Sequence, residues 1–242
     1  MSLRIIPSPG SEAWNAFVSK QPGGSLYQSY EWGQIRQEQG WKPFYIAVAD
    51  GSVWKAAALV LVKRLPGGAG VLMHSPRGPL LAPADNALAL TALSSAVRDL
   101  ANRVGGMFWR VEPPVRADNC DAPLQFEQAG FLRVPQEWSY WNRPKYDMHL
   151  NISDGEAAVM SRISSRTRGK IRYAPKRGVV VEVGHTERDV KIFYELLMNT
   201  GTKKRIPVKG LEYFTHLCAM LEKSGLGRLF IAHKDQEAVA AG

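Results

Sequence analysis

The sequence predicts an α/β (α+β) protein in which helices flank mixed sheets rich in antiparallel strands. Three observations carry this reading. Residues 44–62 hold two apolar runs separated by Asp50-Gly51, the pattern of a tight hairpin. Leu88, Leu90, Leu93, Val97, Leu100 and Val104 recur at helical spacing, and Gly105-Gly106 ends the run. Beyond residue 178 strand and helix patterns alternate again, which suggests a second unit with the same architecture. A chain of 242 residues, 45% hydrophobic and 22% charged, can bury a sizeable core in one large domain or two small ones.

The elements follow in order. Ser11 is placed to cap a short helix that buries Trp14, Phe17 and Val18, and Gln21-Pro22-Gly23-Gly24-Ser25 breaks it. A second helix covers 27–39, with Tyr30, Trp32, Ile35 and Arg36 as its larger side chains. The hairpin comes next. A third strand, 71–73, follows Pro66-Gly67-Gly68 and leads into the segment Ser75-Pro76-Arg77-Gly78-Pro79. The long helix spans 85–104, a strand covers 107–111, and Glu112-Pro113-Pro114 closes it. A loop at 114–121 and a short helix at 123–130 complete the first half. A strand at 146–152 marks the join, and Asp154 is placed to cap the next helix. A strand at 179–183, helices at 187–200 and 210–223, a strand at 229–233 and a turn at Asp235-Gln236 follow. The last strand begins at Glu237 and meets the chain end, so we expect domains at 1–145 and 146–242, the second incomplete.

Charge is the strongest functional signal. The formal net charge is +9, which favours anionic partners. It concentrates in 161–178, where Arg162, Arg166, Arg168, Lys170, Arg172, Lys176 and Arg177 occur without one carboxylate. A helix needing only solubility interleaves Glu, because opposite charges at i,i+4 attract. Unbalanced charge repels itself and calls for nucleic acid, a phosphorylated substrate or an anionic membrane face. Ile163, Ile171 and Tyr173 offer a narrow apolar anchor. The plain alternative is a solvated basic helix.

Several chemistries lack their motifs. The histidines (His74, His149, His185, His216 and His233) are scattered without metal-ligand spacing, so no metal is expected. Cys120 and Cys218 form no CxxC pair and read as structural thiols in a reducing cytoplasm. Neither a GxSxG elbow nor a Walker A sequence occurs. The N-terminus lacks the apolar core of a signal peptide, and no apolar run approaches the ~20 residues of a membrane span. Residues 64–69 fit the R-x-x-G-x-A pattern that holds coenzyme A phosphates, but Pro66 and the strand that follows favour a hairpin connection. Tyr27, Tyr30, Trp32 and Trp41 can floor a groove or belong to the core. Arg77, held between prolines and a glycine, is either a rigidly placed binding residue or the partner of a carboxylate.

Residues 28–36 (QSYEWGQIR), 75–81 (SPRGPLL), 109–114 (WRVEPP), 164–181 (SSRTRGKIRYAPKRGVVV) and 209–214 (KGLEYF) stand in the order and spacing of the Fem family, which this chain resembles. Fem proteins are the aminoacyltransferases that build peptidoglycan interpeptide bridges. The resemblance implies two tandem GNAT-like domains with a cleft between them. It implies transfer of an amino acid from aminoacyl-tRNA to the stem-peptide amine of a peptidoglycan precursor, lipid II or its UDP-MurNAc-pentapeptide form. No cofactor is implied beyond aminoacyl-tRNA as donor. Arg36 occupies the place of a basic residue that binds acceptor phosphate. Lys209 stands where the family usually has a second basic residue, followed by Tyr213 and Phe214, and as Lys it lacks the bidentate fork of Arg. We expect Arg36, Arg77, Lys209 and Tyr213 on the acceptor side, Tyr213 being the candidate general base. From charge alone we expect Arg166, Arg168, Lys170 and Arg172 to meet tRNA phosphate. A cytoplasmic enzyme, peripheral at the inner membrane face, fits these partners. Two rivals stay open: an acyl-CoA-dependent N-acyltransferase, and a non-catalytic RNA- or membrane-binding module.

Overall fold

The computed structural model describes residues 3–83, 87–116, 118–135 and 150–242. The chain divides into two units, Met1–Ser139 and Tyr140–Gly242. The boundary expected after residue 145, and residues 146–149 of the strand expected there, lie outside the described residues.

The first unit is built on a six-stranded sheet. Its strands are β1 (Leu3–Pro7), β2 (Lys42–Asp50), β3 (Val53–Arg64), β4 (Val71–Ser75), β5 (Leu80–Leu81) and β6 (Gly106–Val111). They lie in the order β1-β2-β3-β4-β6, with β5 returning to pair β3. All pairs are antiparallel except β4 with β6, so the sheet is mixed. The hairpin turns at Gly51, whose positive φ of 59° suits a residue without Cβ. The connection from β3 to β4 is one 3₁₀ turn, Pro66–Gly68, so residues 64–69 form the expected hairpin link.

Alternation along β3 assigns its two faces. Ala56, Ala58, Val60 and Val62 pack with Ile46, Val48 and Met73 beneath Leu93, Val97 and Leu100 of α3 (Ala87–Val104). Leu88 of that helix is 61% exposed, and Ala89 takes the buried place expected of it. On the opposite face lie α1 (Ser11–Lys20) and α2 (Tyr30–Glu38). Trp14, Phe17 and Val18 are buried as expected, but Gly10 is the N-cap and Ser11 is already the first helical residue. A 3₁₀ turn, Leu26–Gln28, precedes α2, and the Ser29 side chain caps it by accepting from the Trp32 N–H at 3.1 Å. Gly33 lets α2 approach the sheet. A Cβ there would lie 1.9 Å from the Tyr45 hydroxyl oxygen. Tyr45 donates to the Tyr30 carbonyl at 2.8 Å and stacks on its ring at 4.4 Å; burial pushes its phenol well above the ordinary range.

Strand β1 was not expected. It is an edge strand with Pro7 as its last residue and a mostly exposed pattern, so it lacks the apolar alternation by which strands are read. The short β5 falls where the sequence reading assigned no element. It exists because β3 changes partners along one edge, pairing β5 at Ala56 and Ala57 and β4 from Leu61 to Arg64. In the gap, side chains replace a strand. The Leu59 N–H donates to Gln28 Oε1 at 2.9 Å, and the Leu59 carbonyl accepts from Ser75 Oγ at 2.7 Å.

The second unit holds a three-stranded antiparallel sheet of β7 (Val179–Gly184), β8 (Leu229–Lys234) and β9 (Glu237–Ala241). Asp235 and Gln236 both have positive φ, which makes the two-residue turn that suits a hairpin. α7 (Glu187–Lys204) and α8 (Leu211–Ser224) supply Val190, Phe193, Leu211 and Phe214 to a small core around Leu229 and Ile231. α7 runs past the Thr200 expected as its end, to Lys204. Its start is a capping box in which Thr186 and Asp189 bond each other's backbone. α4 (Ala122–Gln128) closes the first unit, and α5 (Glu156–Arg162) and α6 (Ser165–Lys176) open the second. No helix of the described residues is long and apolar enough to cross a membrane.

The gap beside Leu59 generates a stability prediction. Gln28→Met keeps side-chain length but leaves the Leu59 N–H and the Pro76 carbonyl without their partner, so urea unfolding should show a loss of roughly 2–5 kcal/mol. Gln37→Met, on the exposed face of α2, should stay within about 0.5 kcal/mol.

Candidate functional site

Four places hold the residues singled out by sequence. The first is a cation–aromatic shelf at the end of α2. Arg36 lies in the last turn, where a cation suits the helix dipole, and its guanidinium sits 5.0 Å from the centre of the Trp41 ring and 6.0 Å from that of Trp32. Lys63 Nζ approaches the Trp41 ring at 5.5 Å and the Gln39 carbonyl at 3.3 Å. His74, 6.5 Å ring to ring from Trp41, shares the Glu112 carboxylate with Arg110 at 3.2 and 3.3 Å. Parallel pairing of β4 and β6 puts His74 and Arg110 opposite each other, so both reach one carboxylate. Trp41 is half-buried and carries both cations on its ring, whereas Trp32 is buried against Tyr27 and Tyr30 is stacked on Tyr45. Sequence reasoning left out Lys63, His74, Arg110 and Glu112. The alternation Leu59, Leu61, Lys63 was the available signal for the first, and strand register, which one sequence does not reveal, decides the others.

Arg77 stands on the loop after β4. Its φ of 51° lies in the left-handed region, and its neighbours fix it. Gln28 donates to the Pro76 carbonyl at 2.7 Å, a Cβ on Gly78 would meet the Gln28 carboxamide at 2.6 Å, and the Gly78 carbonyl accepts from Glu112 N–H at 3.0 Å. The Gly78–Pro79 peptide bond is cis. A cleft of about 390 Å³ lies past the carboxyl ends of the parallel pair, lined by Gln21, Pro79, Leu80, Pro113, Pro114 and Phe126 among others. Open sheets place ligands at such ends.

In the second unit Lys209 Nζ lies 4.2 Å from the centre of the Tyr213 ring, and Tyr213 meets Phe214 edge to face at 5.0 Å. A separate cleft of about 420 Å³ lies between β7, α7 and α8, lined by His185, Thr186, Cys218 and Glu222 among others. His185 pairs with Glu222, and burial beside that carboxylate pushes the Cys218 thiol up, so it is a poor nucleophile. Cys120 is exposed, not structural as expected.

The basic stretch is two helices. α5 ends at Arg162, and Ser164 caps α6 by accepting from Thr167 N–H. Arg168 turns back to the end of α5 and donates to the carbonyls of Met160, at 3.1 Å, and Ile163, so it satisfies a helix end. Arg162 pairs with Asp154 and bonds the Asn151 carbonyl; Asp154 is thus an ion-pair partner, and Gly155 is the N-cap expected of it. Ile171 and Tyr173 are about half exposed, so they do not anchor α6 as expected. Arg166, Lys170 and Arg172 remain exposed, and among the described residues none pairs with a carboxylate.

The sequence profile of the FemAB family matches residues 10–233. The chain belongs to the FemAB family. A curated FemAB-type relative, the lipid II:glycine glycyltransferase of Staphylococcus aureus, is 28% identical over 228 residues, covering 91% of this chain and 53% of that protein. The version from S. aureus strain MRSA252 is 27% identical over 227 residues, with the same coverage. The crystal structure of FemX superposes with a TM-score of 0.81 at 25% identity, covering 97% of this chain and 58% of that one. The chain thus spans about half the length of the curated relatives it matches. The mixed α/β fold of FemX is shared across 97% of the chain.

The division of α6 is testable. Arg168→Ala removes the cap of α5 and should lower stability by about 1–2 kcal/mol, whereas Arg166→Ala should stay within about 0.5 kcal/mol by thermal or urea unfolding.

Proposed function

We propose that this protein is an aminoacyltransferase that moves an amino acid from aminoacyl-tRNA to the stem-peptide amine of a peptidoglycan precursor. The observation that carries it is the likeness to the lipid II:glycine glycyltransferase across 91% of the chain. The Arg36–Trp41 shelf supports it, because an acceptor of this class bears phosphates. We also place the two units as tandem GNAT-like halves divided near residue 145, in a protein that works in the cytoplasm and touches the inner membrane face.

The chemistry asks for orientation more than activation. The amine nitrogen attacks the ester carbonyl carbon, a C–N bond forms, and the C–O bond to the tRNA ribose breaks. The ammonium proton must leave before or during attack, and the departing ribose oxygen takes one up. An activated ester needs no covalent enzyme intermediate, so phosphate clamps and a proton path suffice. In this reading Arg36 and Arg77 hold the acceptor, and the cleft past β4 and β6 gives its neutral portion room. Lys209 steadies Tyr213, which serves as an anchor for the acceptor and as the candidate base. Arg166, Lys170 and Arg172 meet tRNA phosphates, and Arg168 acts with them only by holding the start of α6 in place.

The test uses protein made from its complete coding sequence. It is offered lipid II or UDP-MurNAc-pentapeptide with charged tRNA or acetyl-CoA, and the acceptor mass is read. A tRNA-dependent gain of one amino acid is expected. A gain of an acetyl group, or none with any acceptor, overturns the reading.

Two variant sets refine it. Arg36→Ala and Lys209→Ala should each raise the acceptor KM about tenfold with little change in tRNA affinity, the effect expected of one phosphate-binding cation. Replacing Arg166, Lys170 and Arg172 together by Glu should weaken tRNA binding and flatten its salt dependence by about 0.7–0.9 of a slope unit for each phosphate no longer neutralised. Unchanged acceptor kinetics in the first set would remove both residues from the site.

A further inference from the structure

Tyr173 stands 51% exposed on α6, and its neighbours along one side of the helix are cations. Arg166, Lys170, Tyr173 and Arg177 follow one another at intervals of four, three and four residues, so they form a single stripe. No carboxylate occurs between residues 161 and 178 to neutralise it. Among the described residues Arg166 and Lys170 make no ion pair and no side-chain hydrogen bond. Arg177, the C-cap, reaches back. Its guanidinium carbon lies 4.8 Å from the centre of the Tyr173 ring, and its Nε donates to the phenolic oxygen. The ring is thereby held from its C-terminal side. The turn on its N-terminal side carries Gly169, where a Cβ would meet nothing within 4 Å, so the surface beside the ring is bare. Glycine inside a helix is destabilising, because it loses more backbone freedom than any other residue. Here it leaves space next to an exposed aromatic face.

A stripe that only met phosphate would need the cations and not the ring. An aromatic side chain stacks on the flat face of a base, whereas the bases of a duplex offer only their edges in the grooves. An aromatic interleaved with cations therefore selects a strand whose bases are unpaired: the cations follow the backbone and the ring takes a base. Arg166 and Lys170 lie about 6 Å apart along the helix axis, which suits successive phosphates of one strand. We propose that Tyr173 is a base-stacking residue, and that Arg166, Lys170 and Tyr173 bind single-stranded RNA. Gly169 leaves the gap for the base, and Arg177 holds the ring. The inference rests on the reading of α6 as the tRNA-binding element. It goes beyond that reading in the residue and in the part of the RNA, an unpaired end instead of a paired stem. An anionic membrane would also attract the cations. Ile171, the other half-exposed apolar side chain of α6, lies off the stripe, so the helix offers no apolar face for a bilayer to take up.

The test measures binding of a labelled single-stranded RNA, of the same RNA annealed to its complement, and of phosphatidylglycerol vesicles, each over a range of salt. The single strand should bind about tenfold tighter than the duplex. Tyr173→Ala should weaken the single strand about tenfold and leave the slope of its salt dependence unchanged, because no phosphate contact is lost. Tyr173→Phe keeps the ring and loses the bond to Arg177, and should stay within about threefold of the natural protein. Gly169→Leu fills the bare surface. It should weaken the single strand about as much as Tyr173→Ala, with an unchanged or higher melting temperature, because leucine favours a helix over glycine. A tyrosine that only braces the helix predicts a different pattern, with Phe as harmful as Ala and both variants melting earlier. The inference is overturned by that pattern, by a duplex that binds as tightly as the single strand, or by normal single-strand binding in Tyr173→Ala. Loss of vesicle binding but not of RNA binding in Tyr173→Ala overturns it in favour of a membrane. Amino acid transfer with a normal tRNA KM in Tyr173→Ala would sink this inference and leave the transferase standing. Tyr173-dependent binding of single-stranded RNA without any transfer would do the reverse.

Discussion

The first unit depends on how β3 spans the gap between its two partners on one edge. A strand interior with open N–H and C=O groups is costly unless something meets them. Here Gln28 and Ser75 meet both groups of Leu59, and Trp109 donates to the same Ser75 oxygen at 2.8 Å. Trp14 donates to the Gln28 carbonyl, so α1 is tied in as well. Gln28 and Ser75 are essentially without exposure, which makes each of these bonds strong relative to water. The loop carrying Arg77, the start of α2 and the end of β4 therefore share one buried polar network. Its members come from three of the motifs that mark the family, which explains physically why those short stretches belong together.

Local patterns revealed most of the architecture and much less of the site. The hairpin, the long helix and the paired helices of the second unit follow from alternation, helical spacing and turn residues, and they stand where those signals put them. Strand β1 escaped because an edge strand needs only one partner and little apolar surface. β5 escaped because two residues carry no period. In the site, Arg36 and Lys209 could be named from their positions in motifs. Lys63, His74 and Glu112 could not, because their meeting depends on register between strands and on which face a residue takes.

The basic stretch shows how charge counting misleads and then informs. Seven cations in one run suggested one continuous surface. Two of them, Arg162 and Arg168, are occupied by carbonyls and a carboxylate that hold α5 to its neighbours. Arg177 rests on Tyr173, 4.8 Å from its ring centre. What remains for a polyanion is the smaller set on α6, and its electrostatic footprint is correspondingly narrower.

The packing of Gly33 against Tyr45 has a consequence for aim. A helix lying on a sheet can, in principle, roll about its own axis, and each residue of slippage turns its side chains by about 100°. Here the phenol fills the space a methyl group would need, so the roll of α2 is locked by a void matched to one oxygen atom. Arg36, three residues later, lies on almost the same side of the helix and inherits that bearing. The direction in which α2 presents the Arg36 guanidinium is thus set by the smallest residue in the helix.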